Sequence, residues 1–229
     1  VGIFIVGGAL VTALLQLIGL SEPLLLVLLG LLNFAAAIVF FRILPGNFMV
    51  DFLNMLFRVI FRMEVKGMEN IETAGDNCVI ALNHVSFLDA PVILSLLERK
   101  PVFAIDWNIA QAWWVKPFLG IAKCFPMDPT RPLSTRGLIK EVQAGENLVI
   151  FPEGRLTVTG SLMKVYDGAA MIADKADAMI VPVRLEGLER TYLSRVPKNY
   201  VRKSLFPKVT VTFLEPRKLD VDKTLVGCK

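Results

Sequence analysis

CVIALNHVSFLDAPVILSLLE, residues 78–98, decides the fold class. Cys78–Leu82 is an apolar run of strand length. Asn83 to Asp89 then brings in Asn, His, Ser and Asp, and 91–98 is apolar again, with Pro91 suited to open a helix. A strand, a short polar loop and a helix make half of a βαβ unit. Working outward, further strands are predicted at 63–66, 102–105, 147–151, 179–185 and 209–214. Further helices are predicted at 110–121, 134–144 and 168–175. Strands alternating with helices imply an α/β fold, a mostly parallel mixed sheet flanked by helices. Residues 48–217 suit one such domain, and 218–229 read as a linker.

Upstream the character changes. Residues 1–41 hold one charged residue, Glu22. Residues 1–20 and 24–41 carry none, and Ser21-Glu22-Pro23 separates them. Each run is long enough to be a transmembrane candidate, so 1–44 is predicted as a two-helix transmembrane hairpin. A helical hairpin buried in a soluble core is the alternative. A secretory signal fits badly, since no basic segment precedes the apolar runs. Arg42, Arg58, Arg62 and Lys66 follow, which places the downstream domain on the cytoplasmic side. In 48–62, Phe48, Phe52, Met55, Leu56 and Val59 recur at helical spacing, opposite Asp51, Asn54, Arg58 and Arg62. This is an amphipathic helix, read as lying in the membrane interface; the alternative is packing on its own domain.

Composition narrows the chemistry. At 54% hydrophobic and 20% charged, with mean hydropathy +0.57, the chain is too apolar to be disordered. Cys78, Cys124 and Cys228 are odd in number and lack metal-ligand spacing, which argues against a disulfide scaffold or a zinc finger and for a reducing compartment. A single histidine, His84, excludes a His-rich metal site, and no metal is expected. The chain starts at Val1 rather than Met and reads as a fragment of a longer protein.

His84 lies beyond the carboxyl end of a predicted strand, where α/β folds gather functional groups. Asp89 follows five residues later. On a regular helix the two would stand about 140° apart. They meet only if His84 lies in the turn and the helix begins after it. An aspartate bonded to one imidazole nitrogen fixes the tautomer and lets the other nitrogen act as a base toward a hydroxyl. The same spacing offers a rival role, because Ser86 and Asp89 match a capping box. Ser86 as nucleophile is discounted, since no nucleophile elbow surrounds it. A second group, Phe151-Pro152-Glu153-Gly154-Arg155, also follows a predicted strand. Gly154 allows close backbone approach, Arg155 offers a fork for phosphate, and Glu153 suits orienting that Arg or binding a substrate hydroxyl. Lys164, just before the helix predicted at 168, adds a further cation.

His84-x4-Asp89, Phe151-Pro152-Glu153-Gly154-Arg155 and Ile180-Val181-Pro182-Val183 resemble, in order and spacing, three blocks of the glycerophospholipid acyltransferase family. The resemblance covers roughly residues 50–215. Residues 126–130 and 159–168 are most similar to the branch that acylates 2-acylglycerophosphoethanolamine and is joined to an acyl-ACP synthetase. Some bacterial members of that branch follow a transporter, whose last two helices 1–41 would resemble. One departure stands out: Met127-Asp128 is followed by Pro129 where the family usually has an Arg, so Arg131 is a weaker phosphate ligand.

The resemblance implies acyl transfer from acyl-ACP or acyl-CoA, as co-substrate rather than cofactor, to a lysophospholipid hydroxyl. His84 would be the base and Asp89 its orienting partner. Glu153, Gly154, Arg155, Lys164 and Arg131 would hold the phosphate and glycerol. Asn83, Pro152 and Pro182 would shape the site. Lysophosphatidylethanolamine is the expected acceptor; lysophosphatidic acid and a non-enzymatic lipid-binding module are the alternatives, and hydrolysis is a third. The expected location is a bacterial inner membrane, with the catalytic domain cytoplasmic. Trp107, Trp113, Trp114 and Phe118 would line an acyl groove, dip into the interface, or pack in the core. Residues 184–208 carry seven Lys and Arg against Glu186 and Glu189. That excess suits anionic lipid or acidic acyl carrier protein, or is a solvated face; no nucleic-acid motif accompanies it.

Overall fold

The computed structural model describes residues 21–43, 46–113, 115–127 and 132–219. The chain divides into two units, Val1–Met49 and Val50–Lys229. In the first, helix α1 (Glu22–Ile43) is apolar around its whole circumference, and Leu26, Val27, Leu31, Leu32, Phe34 and Phe40 are exposed. The first span of the expected hairpin, 1–20, lies outside the described residues. Among the described residues no helix is long and apolar enough to cross a membrane.

Helix α2 (Gly46–Ile60) begins in the first unit, and its part in the second, from Val50 on, does two things at once. Val50 and Phe57 are buried, with Leu53, Ile60 and the following Phe61 in the same core. Phe52, Met55 and Val59 form a second row that is exposed. Packing on its own domain and presenting an apolar stripe are therefore not alternatives here.

The sheet contains β1 (Glu64–Lys66), β2 (Cys78–Leu82), β3 (Val102–Asp106), β4 (Lys123–Met127), β5 (Leu148–Ile150), β6 (Met179–Glu186), β7 (Thr210–Phe213) and β8 (Arg217–Lys218). Its order is β1-β7-β6-β2-β5-β3-β4, and β8 also pairs with β6. Pairing is parallel except where β6 meets β7 and β8. The expected mostly parallel mixed sheet flanked by helices is what the chain forms.

Central strands are apolar along their whole length because both faces are covered. Ile80, Leu82, Val149 and Val181 join one core with Phe57 of α2 and Val92 and Ile93 of α4 (Asp89–Leu96). Val79, Leu148 and Ile150 join the other, with Leu138 and Val142 of α7 (Pro132–Gln143) and Ile172 and Ala173 of α8 (Gly168–Ala176). Successive residues alternate between the two, as a strand period of two requires.

Four details differ from the sequence reading. The helix expected over 110–121 is two short pieces, α5 (Trp107–Ala110) and α6 (Lys116–Leu119). Asp106 starts the first by accepting from Asn108 N and Ile109 N, and Pro117 restarts the second. Strand β4 was hidden by Lys123 and Pro126, which an edge strand tolerates. The short helix α3 (Glu69–Ala74) and the two-residue β8 carry too little apolar pattern to announce themselves. Helix α4 begins at Asp89, two residues earlier than Pro91 suggested.

Candidate functional site

The sheet order brings the two polar loops together. β2 and β5 are neighbours, with Ala81 opposite Ile150, so their carboxyl ends lie side by side. β6 flanks β2 on its other edge, with Ala81 opposite Pro182.

Asn83 ends β2. Its amide donates to Leu185 O (2.9 Å) and accepts from Leu185 N (2.8 Å). The side chain thus imitates one more peptide of the β2–β6 ladder, and the backbone is released from the sheet at His84. His84 is then gripped on both sides. Its N donates to Glu153 Oε1 (2.9 Å) and its O accepts from Thr157 N (2.8 Å). The imidazole stacks on Phe151, centroids 3.9 Å apart. Its Nδ1 is 2.9 Å from Asp89 Oδ2, and the side chain is 21% exposed. Among the described residues Nε2 has no hydrogen-bond partner.

Asp89 is fully buried. One oxygen, Oδ2, accepts from Val85 N (2.7 Å) and Ser86 N (2.9 Å) besides meeting His84. Ser86 Oγ accepts from Leu88 N in return (3.3 Å). The expected capping box is only half formed: Asp89 reaches back to Ser86 N, but the helix N-cap is Leu88 without a side-chain cap bond, so the same Asp89 oxygen that meets His84 holds the loop instead. Asp89 Oδ1 is buried without a partner among the described residues. Burial pushes the Asp89 carboxyl above the usual aspartate range, and the donors from His84, Ser86 and Val85 oppose that rise. With Asp89 ionised, Nδ1 carries the proton and Nε2 presents a lone pair. Ser86 is fully buried and meets Thr191 Oγ1 (3.1 Å), which leaves it no route to a substrate.

Glu153 is not where the sequence reading expected it. It is 2% exposed, and both oxygens are taken by backbone N–H groups: Oε1 by His84 and Oε2 by Met163 (2.9 Å). It ties the loop after β5 to the histidine loop and to the segment before α8. A substrate hydroxyl cannot reach it in this arrangement, which corrects its expected place among the substrate ligands.

Gly154 makes the turn, with φ +66° and its N donating to Phe151 O. A Cβ there would stand 3.7 Å from the Tyr166 ring, and Tyr166 N donates to Pro152 O. Lys164 lies 5.2 Å from the same ring centroid. Arg155 and Lys164 are both exposed, on segments held together by these contacts. Pro182 sits within β6, half-buried, its carbonyl accepting from Leu214 N. Arg131 and Trp114 lie outside the described residues. Trp107 and Trp113 are exposed, whereas Phe118 packs edge-on against Phe103 in the core. The exposed Asp167 at the start of α8 weakens the anion-binding reading of that helix end.

Sequence reasoning missed two groups around His84. Phe151 reads from the sequence as a strand end and as part of the second block, with no role at the imidazole, and Thr157 is not singled out. Both are signalled only once β5 is known to lie beside β2.

A model of the family described as Acyltransferase matches residues 62–186. A chloroplastic 1-acyl-sn-glycerol-3-phosphate acyltransferase of Brassica napus is 28% identical over 134 residues, 56% of this chain and 38% of that protein. A 1-acyl-sn-glycerol-3-phosphate acyltransferase of Cocos nucifera is 28% identical over 162 residues, 67% of this chain and 50% of its own length. The chain thus spans half or less of these curated relatives. The crystal structure of the 1-acyl-sn-glycerophosphate acyltransferase PlsC of Thermotoga maritima shares the fold. Its TM-score is 0.59 at 22% identity, covering 81% of this chain and 78% of that one.

Proposed function

The chain belongs to the acyltransferase family, and from that premise we propose that it moves a fatty acyl group from an acyl thioester to the free hydroxyl of 1-acylglycerol 3-phosphate. The observation that carries the reading is the His84–Asp89 pair, with Nδ1 engaged, Nε2 without a partner among the described residues and the side chain 21% exposed. His84 Nε2 takes the proton of the acceptor hydroxyl as its oxygen attacks the thioester carbonyl. The tetrahedral intermediate then collapses, the C–S bond breaks, and the leaving thiolate receives the proton from the imidazolium. Asp89 stabilises that imidazolium and becomes no proton carrier itself.

The acceptor differs from the lysophosphatidylethanolamine expected from the sequence. The curated relatives are named for 1-acylglycerol 3-phosphate. A phosphate monoester is also more highly charged than a diester, which suits two exposed cations, Arg155 and Lys164. The same reading seats the chain at the cytoplasmic face of a bacterial inner membrane, supported by the outward-facing leucines of α1 and the exposed stripe of α2.

The test is a panel of acyl-CoA and acyl-ACP donors against lysophosphatidic acid and lysophosphatidylethanolamine, with His84→Ala as control. Loss of the general base lowers turnover by about 10²–10⁴. Near-normal transfer by His84→Ala overturns the mechanism. A preference for the ethanolamine acceptor overturns the substrate assignment alone. Free fatty acid without diacyl lipid makes the chain a hydrolase.

A further inference from the structure

We propose that the loop between the 3₁₀ turn Leu188–Arg190 and β7 is a docking surface for an anionic lipid leaflet, placed at the rim of the His84 site. The inference does not depend on which acceptor is acylated.

The loop has almost no regular structure, yet it is tightly built. Lys203 Nζ donates to three carbonyls, Glu189 O (3.1 Å), Thr191 O (2.8 Å) and Ser194 O (3.3 Å). Ser204 N donates to Arg190 O (2.9 Å), and Arg190 Nε to Arg202 O (3.4 Å). Val196 and Thr191 are buried beneath it. The polar and small groups are spent on holding the shape. What remains outside is apolar and large: Tyr192, Leu193, Tyr200, Leu205 and Phe206 are each more than half exposed. A rigid loop that presents five such side chains marks an interaction site.

The charges around them choose the partner. Arg184 is paired with Glu186 and Lys208 with Glu64, and Lys203 is consumed by the carbonyls. Arg195, Lys198 and Arg202 are exposed, and among the described residues no carboxylate lies within salt-bridge range of them. Arg195 sits over the Phe87 ring (5.6 Å) and Lys198 over Tyr192 (5.8 Å). Unpaired cations interleaved with exposed aromatic and aliphatic side chains match a headgroup layer above acyl chains. An acidic carrier protein would use the cations and leave the five apolar side chains uncovered.

The placement is what gives the surface a use. Phe87 N donates to Leu193 O, and Ser86 meets Thr191, so the loop is fastened to the histidine loop itself. Gly160, on the segment that holds His84 O, lies against Val196. At the other end Arg62, just past α2, donates to Phe206 O (3.2 Å), which adjoins the loop to the foot of the exposed Phe52–Met55–Val59 stripe. A leaflet bound here presents its lysolipids beside the base.

The experiment places an environment-sensitive fluorophore at Leu205→Cys, with Cys228→Ser, in the full chain reconstituted into lipid discs. Discs of phosphatidylcholine alone are compared with discs also holding phosphatidylglycerol. The expected result is a blue shift and quenching by nitroxide-labelled lipid in the anionic discs. Arg195→Gln/Lys198→Gln/Arg202→Gln reverses it, without loss of folding, since none of these three side chains takes part in the hydrogen bonds that shape the loop. About fivefold weaker engagement per charge removed is expected. Identical spectra in both discs, with quenching only by a water-soluble agent, overturn the proposal. So does a response to added acyl carrier protein in place of lipid. Because the readout needs no turnover, it fails independently of the acyl-transfer reading.

Discussion

Replacing Glu153 with Gln separates a residue that builds the site from one that binds substrate. In the folded chain its two carboxylate oxygens each accept one backbone N–H, from His84 and Met163, at 2.9 Å and 2% exposure. An amide offers one oxygen and one NH₂. One of the two backbone donors keeps a partner, now neutral and weaker by about 1 kcal/mol. The other faces a second donor, and a buried N–H left without an acceptor costs about 1–3 kcal/mol. The sum is roughly 2–4 kcal/mol, which for a domain of this size lowers Tm by about 5–15 °C. If the released donor is His84 N, the imidazole shifts from its place over Phe151, and a displacement near 1 Å costs about 10² in rate. The expected kinetic signature is a fall in kcat with little change in KM for the acceptor. Thermal unfolding and steady-state assays on the same preparation measure both. An unchanged Tm with a raised KM and normal kcat would refute the reasoning and return Glu153 to the substrate ligands.

Asp89→Asn removes the orienting charge, and activity falls by about 10³–10⁴ at neutral pH, read as loss of kcat. Its stability effect has a definite sign. Because burial holds the Asp89 carboxyl above its unfolded value of 3.8, the folded chain binds that proton more tightly. The parent therefore loses stability relative to the variant as pH rises from 3.8 through the folded value, as denaturant titration across the acid range would register. A difference that grows in the parent's favour instead refutes the assignment. Cys78 is buried, with its thiol pushed up to about 11; alkylation followed by mass spectrometry finds it unmodified at neutral pH until the chain is unfolded. Gly187→Ala places a Cβ against the Lys208 carbonyl oxygen at φ +98°, and denaturant unfolding shows a loss of more than about 2 kcal/mol.

The readable parts of this chain are those whose pattern is local. β2 and β5 were legible because strands covered on both faces are apolar throughout, so Cys78–Leu82 needed no partner to be recognised, and β6 by an apolar start that passes into alternation at Arg184 and Glu186. β4 was not, because its strand character comes from pairing with β3, and Lys123 and Pro126 mask it in the sequence. The His84–Asp89 spacing was legible as a possibility, and so was its rival. What the sequence could not show was that one oxygen of Asp89 meets His84 and also holds Val85 N and Ser86 N, while the helix is capped at Leu88, since that depends on the loop's path between Val85 and Leu88. Glu153 was misread for a related reason. A glutamate between Pro and Gly in a turn looks solvent-facing. It turns inward here because β5 lies next to β2, across 69 residues of sequence separation from His84.

That inward turn explains how a loop holds a base in place. Ordinary loops leave backbone groups to water and move accordingly. Here the His84 peptide is held at its N–H by Glu153 and at its carbonyl by Thr157, and the next two N–H groups are held by Asp89. The ring then has only rotation left, and Phe151 and Asp89 remove it by stacking and by a hydrogen bond. Two buried carboxylates are the cost, and Asp89 carries it further with one unpaired oxygen. Each is paid for by backbone donors rather than by a salt bridge with Lys or Arg. That choice keeps compensating positive charge away from His84, so that the imidazolium formed during transfer faces the full negative charge of Asp89. A lysine or arginine in either role would lower the basicity of Nε2, the atom on which the proposed reaction depends.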